Sequence, residues 1–316
     1  MTAFAMLFPG QGSQSVGMLA ELAAQHPIVA DTFGEAGQVL GVDLWSQIID
    51  GPAETLNQTT VTQPAMLAGG VAVWRVWQQL DGPAPRRLAG HSLGEYSALV
   101  AAGSIAFGDA VQLVARRAAL MQQAVPAGEG AMAAVLGLDD AIVDAICREA
   151  SEGQIVASAN YNSPGQVVIA GHASAVERAI HRCRDAGARR AMVLPVSIPS
   201  HCALMNPARE AFAQALEETT IRRPEIPVVH NVDLACHEQP TAIRQALLDQ
   251  LSSPVQWSGT IRQLVGQGIG QFAECGPGKV LTGLGKRIER DASHVALESP
   301  DALEQSIKAW SDKGDD

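Results

Sequence analysis

A serine between two glycines, at the point where a strand pattern gives way to a helix pattern, constrains this chain more than any other feature. The residues are Gly90-His91-Ser92-Leu93-Gly94. Residues 86–89 read as the end of a short strand, and residues 95–102 read as a helix rich in Ala, Leu and Val. A strand that turns directly into a helix needs small residues on both sides of the bend, and the serine at its apex is held clear of its neighbours. The helix start supplies unpaired backbone N–H groups beside the hydroxyl, where an oxyanion would form. The same pentapeptide also arises as a glycine-rich turn with an incidental serine. The rest of the chain has to decide between the two.

Around this turn the pattern is α/β. Residues 3–8 predict a buried strand ended by Pro9-Gly10. Helices are expected over 17–24, 27–40 and 63–79, then over 95–102 and 107–124 after the Ser92 turn. Short apolar strands alternating with helices imply a largely parallel sheet, with the site at the carboxyl ends of the strands, where Ser92 falls. Val125-Pro126-Ala127-Gly128-Glu129-Gly130 marks a boundary. Beyond it come a strand (131–136), a helix (139–150), a strand (154–160), a turn (161–165), a strand (166–170), a helix (173–186) and a strand (190–196). That βαββαβ order is ferredoxin-like. The expectation is a large domain over 1–126 and 197–316, a small domain over 127–196 inserted into it, and a cleft between them. The remainder predicts a helix at 207–219, a strand at 226–231, helices at 241–251 and 258–266, and a strand at 270–274. A surface helix at 301–310 with a charged tail completes it.

Hydrophobic residues make up 47% of the 316 and charged residues 17%, a composition that builds a packed core. The net charge of −11 argues against a general nucleic-acid binder. Cys147, Cys183, Cys202, Cys236 and Cys275 are odd in number and never spaced as C-x-x-C, so neither a disulfide framework nor a zinc site is expected. The start of the chain lacks a basic region followed by a long apolar run, and no stretch approaches about 20 apolar residues. The reading is a soluble cytoplasmic protein with no membrane span and no bound metal.

A serine hydroxyl needs a base within reach. His91 adjoins Ser92, but successive residues at such a turn point apart. His201, in Pro199-Ser200-His201, lies where the chain re-enters the large domain and borders the cleft; a half-buried capping histidine is the competing role. His26, His172, His181, His230, His237 and His294 sit in surface-like polar contexts and read as bystanders. Arg117 lies on an otherwise apolar helix, and a buried guanidinium is costly unless paired, so a substrate carboxylate would suit it. Arg116 competes for that role. The glycine-rich Phe8-Pro9-Gly10-Gln11-Gly12-Ser13-Gln14 fails the dinucleotide pattern, because Ser15 stands where glycine is needed. Gly276-Pro277-Gly278-Lys279-Val280 fails as a P-loop at both Ala273 and Val280. Both loops are expected to shape a site through backbone N–H groups.

Taken with Thr62-Gln63-Pro64-Ala65, Asn160-Tyr161-Asn162-Ser163-Pro164-Gly165-Gln166 and Asn231-Val232-Asp233, these segments run in order over nearly the whole chain. In this the chain resembles the bacterial malonyl-CoA:acyl carrier protein transacylases, the malonyltransferases of type II fatty acid synthesis. The resemblance implies a hydrolase-like α/β domain with a ferredoxin-like insert. It also implies an acyltransferase that works by a ping-pong route through malonyl-Ser92 and supplies extender units for fatty acid synthesis. His201 would be the base, oriented by the backbone carbonyl of Gln250 rather than by a carboxylate. Backbone N–H groups of Gln11 and Leu93 would hold the oxyanion. Arg117, in an R-x-x-x-M pattern with Met121, would clamp the malonyl carboxylate, and Asn162 would line the same cleft. Ala118 stands where the family often has glycine.

No bound cofactor is implied: malonyl-CoA is the substrate, and phosphopantetheine arrives on a transient partner, holo-acyl carrier protein. The family is commonly monomeric. An acidic carrier would dock on local positive charge, for which Lys279, Lys286, Arg287, Arg290, Arg189 and Arg190 are candidates. A thioesterase shares the serine turn but would need an acidic triad member, and no Asp or Glu here has a strong claim. A non-catalytic acyl-CoA-binding scaffold would have no chemical need for Ser92, His201 and Arg117 together. A malonyl-loading subunit of another multienzyme pathway would use the same chemistry on another carrier.

Overall fold

Five consecutive apolar residues, Phe4-Ala5-Met6-Leu7-Phe8, form β1 (Phe4–Phe8) in the computed structural model, which describes residues 3–196 and 198–311. All five are buried, as a strand without polar alternation requires. Phe4, Met6 and Phe8 enter one core and Ala5 and Leu7 another, so β1 is covered on both faces. The chain continues through α1 (Ala20–Gln25), α2 (Ile28–Leu40), α3 (Leu44–Asp50), α4 (Ala53–Leu56) and α5 (Thr59–Gln79), then returns as β2 (Arg87–Gly90). After the Ser92 turn come α6 (Gly94–Ala101) and α7 (Phe107–Gln123).

A second unit follows: β3 (Gly130–Leu136), α8 (Asp140–Ala150), β4 (Val156–Ser163), β5 (Gln166–His172), α9 (Ala173–Asp185) and β6 (Arg190–Val193). Its four strands form an antiparallel sheet in the order β4-β5-β3-β6. Alternation along these strands sends Ala133, Val135, Val167 and Ile169 into a core with α8 and α9, and Met132, Val168 and Ala170 to the opposite face. That opposite face is apolar and turns toward the rest of the molecule.

The chain then makes a short 3-10 segment (Ala203–Ala208), α10 (Arg209–Glu218), β7 (Val228–Val229), α11 (Pro240–Gln250) and α12 (Trp257–Gly266). It ends with β8 (Gln271–Glu274), α13 (Val280–Ile288), β9 (Ser293–Ala296) and α14 (Pro300–Ser311). The first sheet has the order β7-β2-β1-β8-β9 with every neighbouring pair parallel. The fold is therefore α/β, with a parallel sheet and a separate antiparallel one. Backbone bonds tie the two units together: Tyr161 N donates to Val255 O, and Val255 N to Ala159 O. No helix among the described residues is long and apolar enough to cross a membrane.

Several expected boundaries move. β4 runs on to Ser163, with register shifts near Asn160 and Tyr161, so the expected turn over 161–165 shrinks to Pro164-Gly165. α5 begins at Thr59 and carries Pro64 inside it. The expected strand at 226–231 shortens to two residues, because His230 and Asn231 turn inward to hydrogen-bond Glu95. The expected strand at 190–196 keeps only its first four residues. Ser197, on which the expected boundary falls, lies outside the described residues, as do Met1, Thr2 and the charged tail over 312–316.

Candidate active site

β2 ends at Gly90 and α6 begins at Gly94, which leaves Ser92 on the turn the pattern predicts. A Cβ on Gly90 would lie 1.9 Å from the Gly94 carbonyl carbon, and one on Gly94 would lie 2.0 Å from Phe8 O. Neither position has room for a side chain. Ser92 itself has φ +51°, a left-handed conformation that non-glycine residues keep only when their surroundings impose it. Two bonds impose it here: Ser92 N donates to Asn231 Oδ1 at 2.7 Å, and Gln250 Nε2 donates to Ser92 O at 3.0 Å.

His201 shares that left-handed geometry, with φ +61°. Its Nε2 lies 2.7 Å from Ser92 Oγ and its Nδ1 2.8 Å from Gln250 O. A carbonyl can only accept, so Nδ1 carries the proton and Nε2 turns its lone pair to the serine hydroxyl. The ring is buried. Loss of water around it, and then the nearby Arg117 charge, hold its pKa down to about 3, so it stays neutral far into acid.

Arg117, from α7, is 2% exposed. Nη1 donates to Gln63 Oε1 at 2.7 Å and Nη2 to Gln250 Oε1 at 3.0 Å, with Ser92 Oγ 3.4 Å away. The guanidinium lies over the Tyr96 ring, 5.4 Å from its centre. Among the described residues no carboxylate touches it. Arg116 points outward and pairs with Glu218 on the surface, which ends its competition for the site.

The loop after β1 closes the other side. A Cβ on Gly10 would fall 2.3 Å from His91 O and 3.7 Å from Leu93 N, so Gln11 follows a backbone pressed against the serine turn. Among the described residues neither Gln11 N nor Leu93 N donates a hydrogen bond. The cleft in front of Ser92 holds about 280 Å³. Its walls are Met132, Val168 and Leu194 from the small unit and Leu281 and Leu284 from α13.

A family model described as acyl transferase domain matches residues 5–299. The malonyl CoA-acyl carrier protein transacylase of Escherichia coli K12 is 56% identical over 308 residues, covering 98% of this chain and all of that one. The chain belongs to the acyl transferase family, among the malonyl CoA-acyl carrier protein transacylases. The solved malonyl CoA-acyl carrier protein transacylase of Coxiella burnetii superposes on this acyl transferase with TM-score 0.96 at 49% identity, covering 97% of each chain. A malonyl-transacylase solved in complex with a type II PKS acyl-carrier protein has TM-score 0.96 and 53% identity, covering 98% of this chain and 100% of that one.

In this acyl transferase, the residues singled out in the sequence fall at different depths. Ser92, His201, Gln11 and Asn162 line the cleft. Asn162 also meets His91, Oδ1 to Nε2 at 2.8 Å. Arg117 and Gln250 form the floor behind Ser92. Met121 lies deeper still, its sulfur 3.8 Å from the Gln63 amide nitrogen.

Two histidines read as surface bystanders are not. His230 is completely buried against Glu95, and His294 is buried with its ring stacked on Phe272 at 4.9 Å. Each sits where the backbone enters or leaves the parallel sheet, so polar sequence neighbours misreport its surroundings. Gln63, Glu95 and Asn231 went without a role, although Gln63 and Asn231 lie in quoted segments and Glu95 opens the expected helix after the Ser92 turn. For Gln63 the usable signal was a polar residue on an otherwise apolar helix; Glu95 and Asn231 offered none.

Proposed function

We propose that this acyl transferase moves the malonyl group from malonyl-CoA to the phosphopantetheine thiol of acyl carrier protein through malonyl-Ser92, supplying extender units for fatty acid synthesis. One observation carries the reading: a serine–imidazole pair at 2.7 Å stands beside a buried guanidinium that no carboxylate among the described residues contacts. The names of the relatives agree with it.

In the first half-reaction His201 Nε2 takes the Ser92 proton as Oγ attacks the thioester carbonyl. The tetrahedral oxyanion rests on the N–H groups of Gln11 and Leu93, each worth about 3 kcal/mol in sites of this kind. Collapse breaks the carbon–sulfur bond, and the imidazolium returns its proton to the departing CoA sulfur. In the second half the carrier thiol gives its proton to His201 and attacks the ester, and Ser92 leaves with that proton. Gln250 O holds the imidazole in the tautomer both halves need. Arg117 pairs with the malonyl carboxylate, Gln63 and Met121 support it from behind, and Asn162 faces the acyl group from the other wall. An analogue without the carboxylate leaves a buried charge unpaired, which is how such a site selects.

The apolar walls suit a pantetheine arm. The carrier docks at the mouth, where two groups of exposed arginine and lysine meet. Leu136 pairs with Arg190 on one side and Gln166 on the other, and Gln166 accepts from Arg287 of α13 at 2.7 Å. Arg189, Lys279, Lys286 and Arg290 are exposed in the same two stretches of chain. The parallel sheet with its serine turn reads as hydrolase-like and the inserted βαββαβ unit as ferredoxin-like, with domains over 1–126 with 197–316 and over 127–196. The working form is a cytoplasmic monomer without a bound cofactor.

Intact mass after brief mixing with malonyl-CoA, then with holo-acyl carrier protein, tests the reading. It expects one malonyl group on the chain that moves to the carrier, and none on Ser92→Ala. Loss of the group to water would make the chain a thioesterase, and no gain at all would leave a scaffold.

A further inference from the structure

Behind the reacting groups lies a buried carboxylate that the mechanism does not use. Glu95, one residue past Gly94, is wholly buried. Its Oε2 accepts from Asn231 N at 3.0 Å and from Gln250 Nε2 at 2.8 Å, and its Oε1 meets His230 Nδ1 at 2.7 Å. Each of these partners leads to the site. Asn231 holds the Ser92 amide and, through Nδ2, Gly90 O at 2.7 Å. Gln250 holds Ser92 O with its amide, His201 with its backbone carbonyl, and Arg117 with Oε1.

We infer that Glu95 is the counter-charge of Arg117, kept one amide away so that the guanidinium remains free for the substrate. The arrangement is Arg117–Gln250–Glu95: the Gln250 amide accepts from the cation and donates to the anion. A buried cation needs an anion nearby. If that anion touched Arg117 directly, a malonyl carboxylate would have to displace it. Set one side chain back, it balances the charge while the guanidinium's hydrogen bonds among the described residues go to the neutral side-chain oxygens of Gln63, Gln250 and Ser92, which a carboxylate can join. Glu95 is thus a positioning residue for nucleophile, base and clamp together. The inference rests on the malonyl reading of the site above.

The test is kinetic. In Glu95→Gln, Gln250 loses its anionic anchor while Arg117 keeps its charge, so kcat for malonyl transfer falls about tenfold or more and KM for malonyl-CoA does not rise. A general loosening of the site would raise KM as well. Glu95→Asp keeps the counter-charge and is expected to retain more of kcat than Glu95→Gln, again without a rise in KM. Wild-type kcat in folded Glu95→Gln, or a folded Glu95→Asp that transfers malonyl no faster than Glu95→Gln, would overturn the inference. The unaltered chain is run alongside, and its failure to take malonyl from malonyl-CoA would instead overturn the functional reading beneath it.

Discussion

On the proposed reading, a single side chain, Arg117, decides which acyl group is accepted. Replacing it with alanine removes the buried charge that a malonyl carboxylate would pair with, so discrimination between malonyl-CoA and acetyl-CoA should narrow by about tenfold or more. Competition between the two thioesters, read by acyl-enzyme mass, checks this; an unchanged ratio removes Arg117 from recognition. His201 makes a second prediction. Its pKa lies far below the ordinary 6.5, so the base-competent neutral ring persists as pH falls through that value. The kcat/KM for acylation should therefore stay level across pH 6.5 and lose its base only well below it. An acid limb centred near 6.5 would show an imidazole in contact with water. Ser92, His201 and Arg117 were legible in the sequence because each sits in a short segment whose neighbours already imply its setting. Glu95, Asn231 and His230 were not. They satisfy one another across 135 and 136 residues of chain, and no local pattern distinguishes a buried polar residue with a distant partner from a solvated one.

Among the elements, α13 shows why some were missed. It follows Gly-Pro-Gly and has Lys279 as its cap residue, with no capping side chain there. The free amides of its first turn are instead met by Glu274, whose oxygens accept from Leu281 N at 2.9 Å and Thr282 N at 2.7 Å. A cap supplied from the preceding strand leaves no Ser, Thr or Asp signature to read. α3, capped by Asp43, and β9 escaped for a different reason, being too short for a period to repeat. The long periodic helices α2, α7, α8 and α9 were all anticipated to within a residue or so, and β1 nearly so.

Burial pushes Glu274 up to about 7 against the two amide bonds that favour its charge. The folded state therefore holds this proton more tightly than the unfolded chain, whose pKa is near 4.5. The contribution to stability is full below that value and is lost as pH rises toward 7. Glu274→Gln should flatten this part of the pH dependence, seen as a smaller shift in urea midpoint between pH 5 and 7 than in the unaltered chain. It should also raise KM for malonyl-CoA, because Leu281 and Leu284 of the same helix wall the cleft. Parallel urea midpoints in the two proteins would place the titration elsewhere.

For the molecule as a whole, the chain carries a net charge of −11 yet exposes Arg287 bonded to Gln166, which lines the cleft, and Arg190 two strands from Gln166 in the same sheet. Changing Arg190 and Arg287 together to glutamate should raise KM for acyl carrier protein several-fold, with little effect on acylation by malonyl-CoA, and the difference should shrink with added salt. Steady-state transfer at two ionic strengths checks it; an unaltered carrier KM moves the docking face. The division into a parallel and an antiparallel sheet was legible because strand–helix alternation changes rhythm after Val125. The facing of the antiparallel sheet was not, since alternation along β3 and β5 says only that both faces are apolar, not which one looks into the cleft.

The turn that carries Ser92 is completed from far down the chain, its amide held 139 residues later by Asn231 and its carbonyl 158 residues later by Gln250. A polypeptide emerging from the ribosome therefore exposes the proposed nucleophile long before the parts that hold the left-handed bend and aim the imidazole. Until α11 has been made and docked, that serine is an ordinary alcohol, and a chain broken off early cannot trap acyl groups in dead-end esters. Reactivity switches on only with the completed fold.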